Sequence, residues 1–463
     1  MAIKQVQISV EDLTSGMFVS KLDRPWAQTP FPLQGFHVRT PQDIASLKAY
    51  CSNVYIDITK GKAPLQLGSL PAKPLKSGPQ YKFLSKSNIS KRDNSSDLAP
   101  SAIVVRKGVY ETSVSLKAEV PRARAIVSHL KGNLTLVSKQ IAKGKSADYG
   151  KLKADVEGMV DSVIRCPDAF TWLIRLRQKD QHTHDHSLRS ALWAVQFARF
   201  IGMAKEEISI LCMGTLLKDI GKLKVSNAVL RSVNRSQEEE LEYRSFVEHG
   251  VEMLRHSRQV EPRVISVVRY HCERHNGSGY PEGVAGNKIP LLARIAGIAT
   301  TYDAISNPRE AVEPVAPSRA VSLLYNMRNN QFQEDLVVKF IQSIGLYPTG
   351  TLVELTTGDI GVVIEQHPQS RLMPQIAVLD QEETTLGGNC VLVDLKDEQE
   401  TRRLLMENGR ERVMGVAKVA IARDLEPTGY DVDLTAISSL FIQAEVNKKK
   451  SFLAGLKGLV TAR

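Results

Sequence analysis

Cysteine is scarce in this 463-residue chain. The five, Cys51, Cys166, Cys212, Cys272 and Cys390, fall without a CxxC or any paired spacing. That pattern excludes a disulfide framework and, with no secretory pattern at the amino terminus, leads to the expectation of a reducing, cytoplasmic compartment. No apolar run approaches the length of a membrane-spanning helix. Aromatic residues make up 6% of the chain and are not interleaved with basic residues along strands, so the pattern of single-strand nucleic-acid binders is missing. Acidic residues are outnumbered, 50 against 61 Lys and Arg, for a formal charge of +11. The excess lies partly in two clusters, Lys73, Lys76, Lys82, Lys86, Lys91 and Arg92, then Lys448, Lys449, Lys450 and Lys457. Solvated segments are the default for such runs, and no specific nucleic-acid binding is expected.

What is present is the composition of a globular protein, 42% hydrophobic and 24% charged, long enough for two or three domains. The expected fold class is multi-domain α+β. Residues 1–60 read as a small α/β unit. Val6-Gln7-Ile8-Ser9-Val10 alternates as a strand, short strands follow near Ser15–Val19 and Lys21–Trp26, a helix starts at Pro41, and Val54–Asp57 closes the unit. Residues 61–105, rich in Pro, Lys, Ser and Gly, read as a flexible linker. Helical spacing predicts connecting helices over 106–164, from about Pro121 to Ile141 and again from Leu152 to Leu176, leading into an all-α bundle over 165–345. Leu188, Leu192, Val195 and Phe200 are its expected core. From 346 to 463 the pattern predicts a small β-barrel or meander, with strands at Leu352–Leu355, Ile360–Ile364, Gln375–Leu379 and Val391–Asp394. Helical spacing follows from Glu407, with a basic amphipathic end carrying Phe452, Leu453, Leu456, Leu459 and Val460.

Six segments carry chemistry-bearing residues in a fixed order. Thr183-His184-Asp185-His186-Ser187 is followed by Lys218-Asp219-Ile220-Gly221-Lys222. Next come His271-Cys272-Glu273 and, a few residues on, Gly279-Tyr280-Pro281. Ala293-Arg294-Ile295 and Tyr302-Asp303-Ala304-Ile305 complete the series. Together they resemble the HD-GYP family of the HD phosphohydrolase superfamily. The amino-terminal unit, with its Gly-Met, Leu-Asp-x-Pro-Trp and Gly-Phe landmarks, is similar to the small uncharacterised domain that often precedes HD-GYP. The resemblance implies a helical bundle and, in active members, cleavage of cyclic di-GMP at a site of two or three metal ions.

The resemblance assigns ligand positions one by one. His186, Asp219 and His271 retain metal-binding residue types. Lys218, Phe246, Cys272 and Thr300 stand where four further ligands would be. A protonated ammonium has no lone pair and repels a cation, Phe246 offers no donor, and the Thr300 hydroxyl is a weak substitute for a carboxylate. Cys272 binds metals as thiolate, so that change alone decides nothing. His249 lies three residues out of register with Phe246 and reads as an ordinary helix histidine. Two histidines and one carboxylate can hold a single iron, but in the family pattern these two histidines serve different ions. The expectation is a degenerate site in which Lys218 stands in for a cation beside Asp219, with no metal or a partial complement. Iron or manganese is expected only under the alternative reading of a weak metal-dependent phosphodiesterase. A residual catalytic role falls to Lys222, and phosphate recognition to Lys222, Arg274, Arg294 and Arg309. The implied partners are cyclic di-GMP, drawn by a basic surface, and a protein contacting the loop at Gly279, Tyr280 and Pro281. A scaffold that ignores nucleotides is the third reading.

Overall fold

A computed structural model describes residues 5–24, 36–38, 41–58, 62, 105–106, 108–145, 147–175, 182–308, 314–367, 370–379, 390–426, 432 and 437. The expected linker and the basic terminal helix lie outside the described residues, apart from a few linker positions. The chain divides into two compact units, residues 1–97 and 98–463.

In the first unit, β1 (Gln5–Ser9), β2 (Phe18–Leu22), β3 (Phe36–His37), α1 (Pro41–Tyr50) and β4 (Asn53–Asp57) build an antiparallel sheet in the order β1-β4-β2-β3. Alternate strand residues enter one core with Leu13, Met17, Leu47 and Cys51. The helix expected at Pro41 and the closing strand are both present. The two short strands expected near 15–26 are, among the described residues, the single strand β2.

The second unit begins with α2 (Leu116–Ala142), α3 (Gly150–Arg165) and α4 (Pro167–Arg175). Helix α2 starts five residues before Pro121, where the periodicity had placed it. Ser115 caps it by accepting from Ala118 N, and Leu116 and Val120 are already buried. The apolar run from Leu152 to Leu176 breaks at Pro167, which forces Cys166 into extended backbone (φ −150°, ψ 94°) and starts a new helix. Then follow α5 (His182–Phe200), α6 (Lys205–Leu217), α7 (Asn227–Arg231), α8 (Gln237–Arg244), α9 (Phe246–Ser257), α10 (Pro262–Tyr270), α11 (Leu291–Ser306), α12 (Pro317–Asn326) and α13 (Glu334–Ile344). Helix α5 runs through the middle of this region. Its Trp193 meets Tyr302 of α11 edge-on at 5.4 Å, and its Phe197 meets Phe340 of α13 at 5.5 Å. These T-shaped contacts fix helix spacing as well as burying area.

After Gly345 (φ 74°) ends α13, the chain forms β5 (Leu352–Leu355), β6 (Ile360–Glu365), β7 (Gln375–Leu379), β8 (Cys390–Asp394), α14 (Glu398–Glu407) and β9 (Ile421–Asp424). The sheet order is β8-β7-β6-β5-β9, all antiparallel. It is not closed into a barrel. Leu405 of α14 joins Val353, Val363, Ile376 and Val393 in one apolar cluster, so a helix covers the face that barrel closure would have hidden. The helical spacing read from Glu407 onward is also corrected: residues 411–415 form a 3-10 turn and 421–424 the fifth strand, which pairs with β5.

One ion pair ties α2 to α3. Glu119 is fully buried, and Arg165 donates to its two oxygens at 2.6 and 3.2 Å. Burial alone would raise the Glu119 carboxyl, but the Arg165 hydrogen bonds and guanidinium charge hold it below the usual value. Its stabilising contribution is therefore complete above the ordinary glutamate pKa and is lost as pH falls through the depressed one. Glu119→Gln is expected to cost about 1–3 kcal/mol at neutral pH. The loss should shrink in acid, as a urea-unfolding series between neutral pH and pH ~3 would show.

Candidate functional site

The chain leaves α6 at Leu217 and turns at once, placing Lys218 and Asp219 at the buried end of the helix before a 3-10 turn over Ile220–Lys224. Gly221 permits this turn because it lies against the backbone of α9. A Cβ there would stand 1.9 Å from Phe246 O and 2.4 Å from Gly250 N. Gly279 does the same for the later loop, where a Cβ would lie 2.4 Å from Arg274 N and from Glu273 Cα. The glycines of both motifs are thus close-approach residues that pack one motif segment on another.

Asp219 is engaged from three sides. Lys218, wholly buried, pairs through Nζ with Oδ2. Ser187 Oγ donates to the same oxygen at 3.0 Å, and Lys222 Nζ lies 2.7 Å from Oδ1. Burial opposes ionisation of Asp219, yet the Lys218 and Lys222 charges outweigh it and hold the carboxyl well below its usual range. Lys218 is pulled down by burial and by Lys222, and up by Asp219. The geometry describes the ionised pair, an ammonium and a carboxylate at direct contact in a water-poor core.

The two histidines converge on the same charge. His186 projects from α5 and bonds through Nδ1 to Asp303 Oδ2 at 2.7 Å, while Arg189 Nε and Asn307 Nδ2 donate to the other oxygen at 2.8 and 3.0 Å. His271 caps α10, with Nδ1 2.8 Å from Val268 O and Nε2 3.3 Å from Cys272 Sγ. Burial first, then the Lys218 ammonium, lowers both histidines, His271 to about 3. Both are neutral at physiological pH.

Two positions expected as lost ligands form apolar structure together. Phe246 and Cys272 share one cluster with Val225, Val229 and Val247, and Tyr280 packs against it. The Phe246 ring lies 5.9 Å from His271 and 6.4 Å from Tyr280, and Lys222 Nζ sits 5.0 Å above it. Burial raises the Cys272 thiol, which keeps it protonated. Thr300, on α11, has its hydroxyl buried without a hydrogen-bond partner. His249 is half-buried on α9, one turn from Phe246.

Of the four expected phosphate-binding cations, Lys222 is spent on Asp219 and Phe246. Arg274 donates to His271 O and Glu273 O at 3.3 and 3.0 Å and lies 5.2 Å from the Phe332 ring centroid. Arg294 stands elsewhere, bonded to Gln333 Oε1 at 2.5 Å and more loosely to Asn287, with its Nε buried and unpartnered. Arg309 lies outside the described residues. The loop at Gly279, Tyr280 and Pro281, with a cis Tyr280–Pro281 bond, is anchored by Glu273, whose Oε1 accepts from Glu282 N and Gly283 N at 2.8 and 3.1 Å.

The donors do not fit a divalent cation at Asp219. Both of its oxygens are already bonded, Oδ2 to the Lys218 ammonium and Ser187 and Oδ1 to Lys222. His186 alone keeps a ligand-like arrangement, a ring nitrogen oriented by a carboxylate. Among the described residues no group of three or more His, Cys, Asp or Glu is placed to hold a metal, and the side chains of His182 and His184 fall outside them. Sequence reasoning quoted Asp303 as a landmark but gave it no role, and it overlooked Arg189 and Ser187. The signal was there: Ser187 and Arg189 flank His186 at spacings that put polar groups around one end of an apolar helix.

Lys218→Met should leave Asp219 buried with one cation fewer and lower stability by about 3–5 kcal/mol in urea unfolding, and adding Asp219→Asn should recover much of it. Gly221→Ala is expected to cost about 1–3 kcal/mol or more, by displacing α9 from the 3-10 turn.

Comparison with known proteins gives these geometries a context. Residues 5–152 match a domain of unknown function, DUF3391, and residues 173–336 match the HD domain. The chain is 28% identical over 402 residues to the cyclic di-GMP phosphodiesterase PA4108 of Pseudomonas aeruginosa, an alignment covering 86% of this chain and 91% of that protein. It is 33% identical over 138 residues to the cyclic di-GMP phosphodiesterase response regulator RpfG of Xanthomonas campestris, covering 29% of this chain and 36% of that one. Among solved structures it resembles Bd1817, an HDG"Y"P protein from Bdellovibrio bacteriovorus, at 14% identity and a TM-score of 0.42 over 73% of this chain and 98% of that one. The chain carries an HD domain behind an amino-terminal DUF3391 and is related to cyclic di-GMP phosphodiesterases.

Proposed function

We propose that this is a catalytically degenerate HD-GYP protein that works in cyclic di-GMP signalling as a nucleotide receptor. The observation that carries the reading is the Lys218–Asp219 pair. Phosphodiester hydrolysis in this superfamily requires cations to lower the pKa of a bridging water and to neutralise charge on the phosphoryl oxygens. Here the carboxylate that would hold them is bound to two lysines and a serine. Phe246, which has no donor atom, and Cys272 pack into an apolar cluster, so neither position offers the pocket a metal ligand. His186 and His271 are neutral and oriented, but neither stands beside an activated nucleophile.

Reception is favoured over a protein contact through the Gly279 loop because Tyr280 packs inward, with Arg244 5.1 Å from its ring centroid. Arg294, by contrast, makes no ion pair among the described residues, and its buried Nε lacks an acceptor. A guanidinium in that condition suits a phosphate oxygen. The relation to cyclic di-GMP phosphodiesterases supplies the ligand class.

Two measurements on the full chain test the reading. Calorimetric titration with cyclic di-GMP is expected to show binding that Arg294→Ala weakens by about tenfold or more. Anaerobic incubation with cyclic di-GMP and Mn²⁺ or Fe²⁺ is expected to yield no linear product. Metal-dependent product would restore the weak phosphodiesterase, and absence of any binding would leave a scaffold.

A further inference from the structure

Where the start of α11 meets the start of α13, several buried nitrogens lack acceptors. Arg294, near the start of α11, donates from Nη1 to Oε1 of Gln333, the residue that caps α13, at 2.5 Å and to Asn287 Oδ1 at 3.4 Å. A guanidinium nitrogen can only donate, so the Gln333 atom it meets is the carbonyl oxygen. The amide nitrogen is then the other arm of a side chain whose residue is 4% exposed, and this Nε2 has no hydrogen-bond partner. Neither has Arg294 Nε. Each of these two nitrogens shares a carbon with one end of the Arg294–Gln333 hydrogen bond, so covalent geometry keeps them no more than about 7 Å apart. The oxygens of one phosphoryl group span that gap.

His275 stands beside them. Its backbone N–H donates to Gln331 O at 2.8 Å and its carbonyl accepts from Gly286 N at 3.0 Å, which brackets it between the segments that carry Gln333 and Asn287. Its Nδ1 is a third buried nitrogen without a partner, and after burial the Arg294 charge is what lowers the ring's pKa. No carboxylate balances this group. Arg165 and Arg189, also partly buried, hold Glu119 at 2.6 Å and Asp303 at 2.8 Å. Arg294 is pulled down by burial with no acidic group among the described residues acting against it.

We propose that Arg294 and Gln333 together hold a single phosphoryl group, with His275 at its edge. Phosphoryl oxygens supply the missing counter-charge and accept from both unpartnered N–H groups at once. A cation would meet donors only, and an apolar group would leave them unpaired. Arg294 and Asn287 are half-buried, so the group is reached from solvent. The choice of a phosphoryl over a carboxyl group rests on the receptor reading above. Two sources share this chemistry, the phosphodiester of cyclic di-GMP and free inorganic phosphate.

The test compares the full-length protein with Gln333→Glu, which sets a carboxylate against the guanidinium and so fills the site from within. A carboxylate at a helix amino terminus is favourable, so the variant should fold with an unchanged or raised thermal midpoint when no ligand is present. Sodium phosphate at about 10 mM, against sodium chloride of equal ionic strength, should raise the midpoint of the original protein and leave that of Gln333→Glu unmoved. The general stabilising effect of phosphate acts on both proteins alike and cancels in the comparison. Gln333→Met, which removes the amide donors without adding charge, should give an intermediate response. In calorimetry, cyclic di-GMP bound about tenfold more weakly by Gln333→Glu would identify the nucleotide as the source. A phosphate response lost in Gln333→Glu, with no cyclic di-GMP binding to the original protein, would keep the site for free phosphate while the receptor reading fails. Equal responses of the original protein and Gln333→Glu to both probes, or no response to either, would overturn the proposal.

Discussion

An ammonium ion cannot be buried among apolar helices without a counter-charge, and the arrangement around Lys218 follows from that constraint. Asp219 provides the charge, and its remaining lone pairs then call for donors, which Ser187 and Lys222 supply. Burial, and after it the Lys218 charge, makes a further positive group costly, so His186 and His271 stay neutral. Neutral rings can pack against apolar neighbours, and Phe246 lies edge-on to His271. The cluster is self-consistent because each group sets the charge state or packing of the next.

A second carboxylate organises the opposite side. Asp303, wholly buried on α11, holds His186 and Arg189 of α5, and so joins two long helices at the level of the site. Burial of Asp303 is offset by the Arg189 charge and the His186 hydrogen bond, which keep its carboxyl below the usual range. Trp193 and Phe197 continue the same contact further along α5 through aromatic edges. One helix therefore has a polar end, an aromatic middle and, at Arg199, a charged end facing the sheet.

Much of the fold was legible before the structure. Helical periodicity located the central region, and turn residues after Gly345 announced the strands. The failures were of tertiary origin. The periodicity across Leu152–Leu176 continued through Pro167, although proline must break the backbone there. Sheet closure was left open between a barrel and a meander, because four short strands and their turns look alike in either, and the sheet is the open one. The difference lies in Leu405 of a helix further along the chain, which covers the apolar face. The fifth strand, Ile421–Asp424, carries half-buried and exposed residues at a sheet edge and so has little period-two signal.

The candidate site divides in the same way. Residue identity by itself determined that Lys218 offers no lone pair while charged and that Phe246 offers no donor. Sequence order also placed His186, Asp219 and His271 in segments that resemble one site. Only the tertiary structure decided that the Lys218 ammonium points at Asp219 and not at solvent, that Phe246 and Cys272 join one apolar cluster, and that Asp303 reaches across to His186. These outcomes depend on which helices are neighbours and on how little water remains between them. Charge pairing, burial and proton affinity arise between residues 30 to over 100 positions apart, and a linear pattern carries no record of that distance.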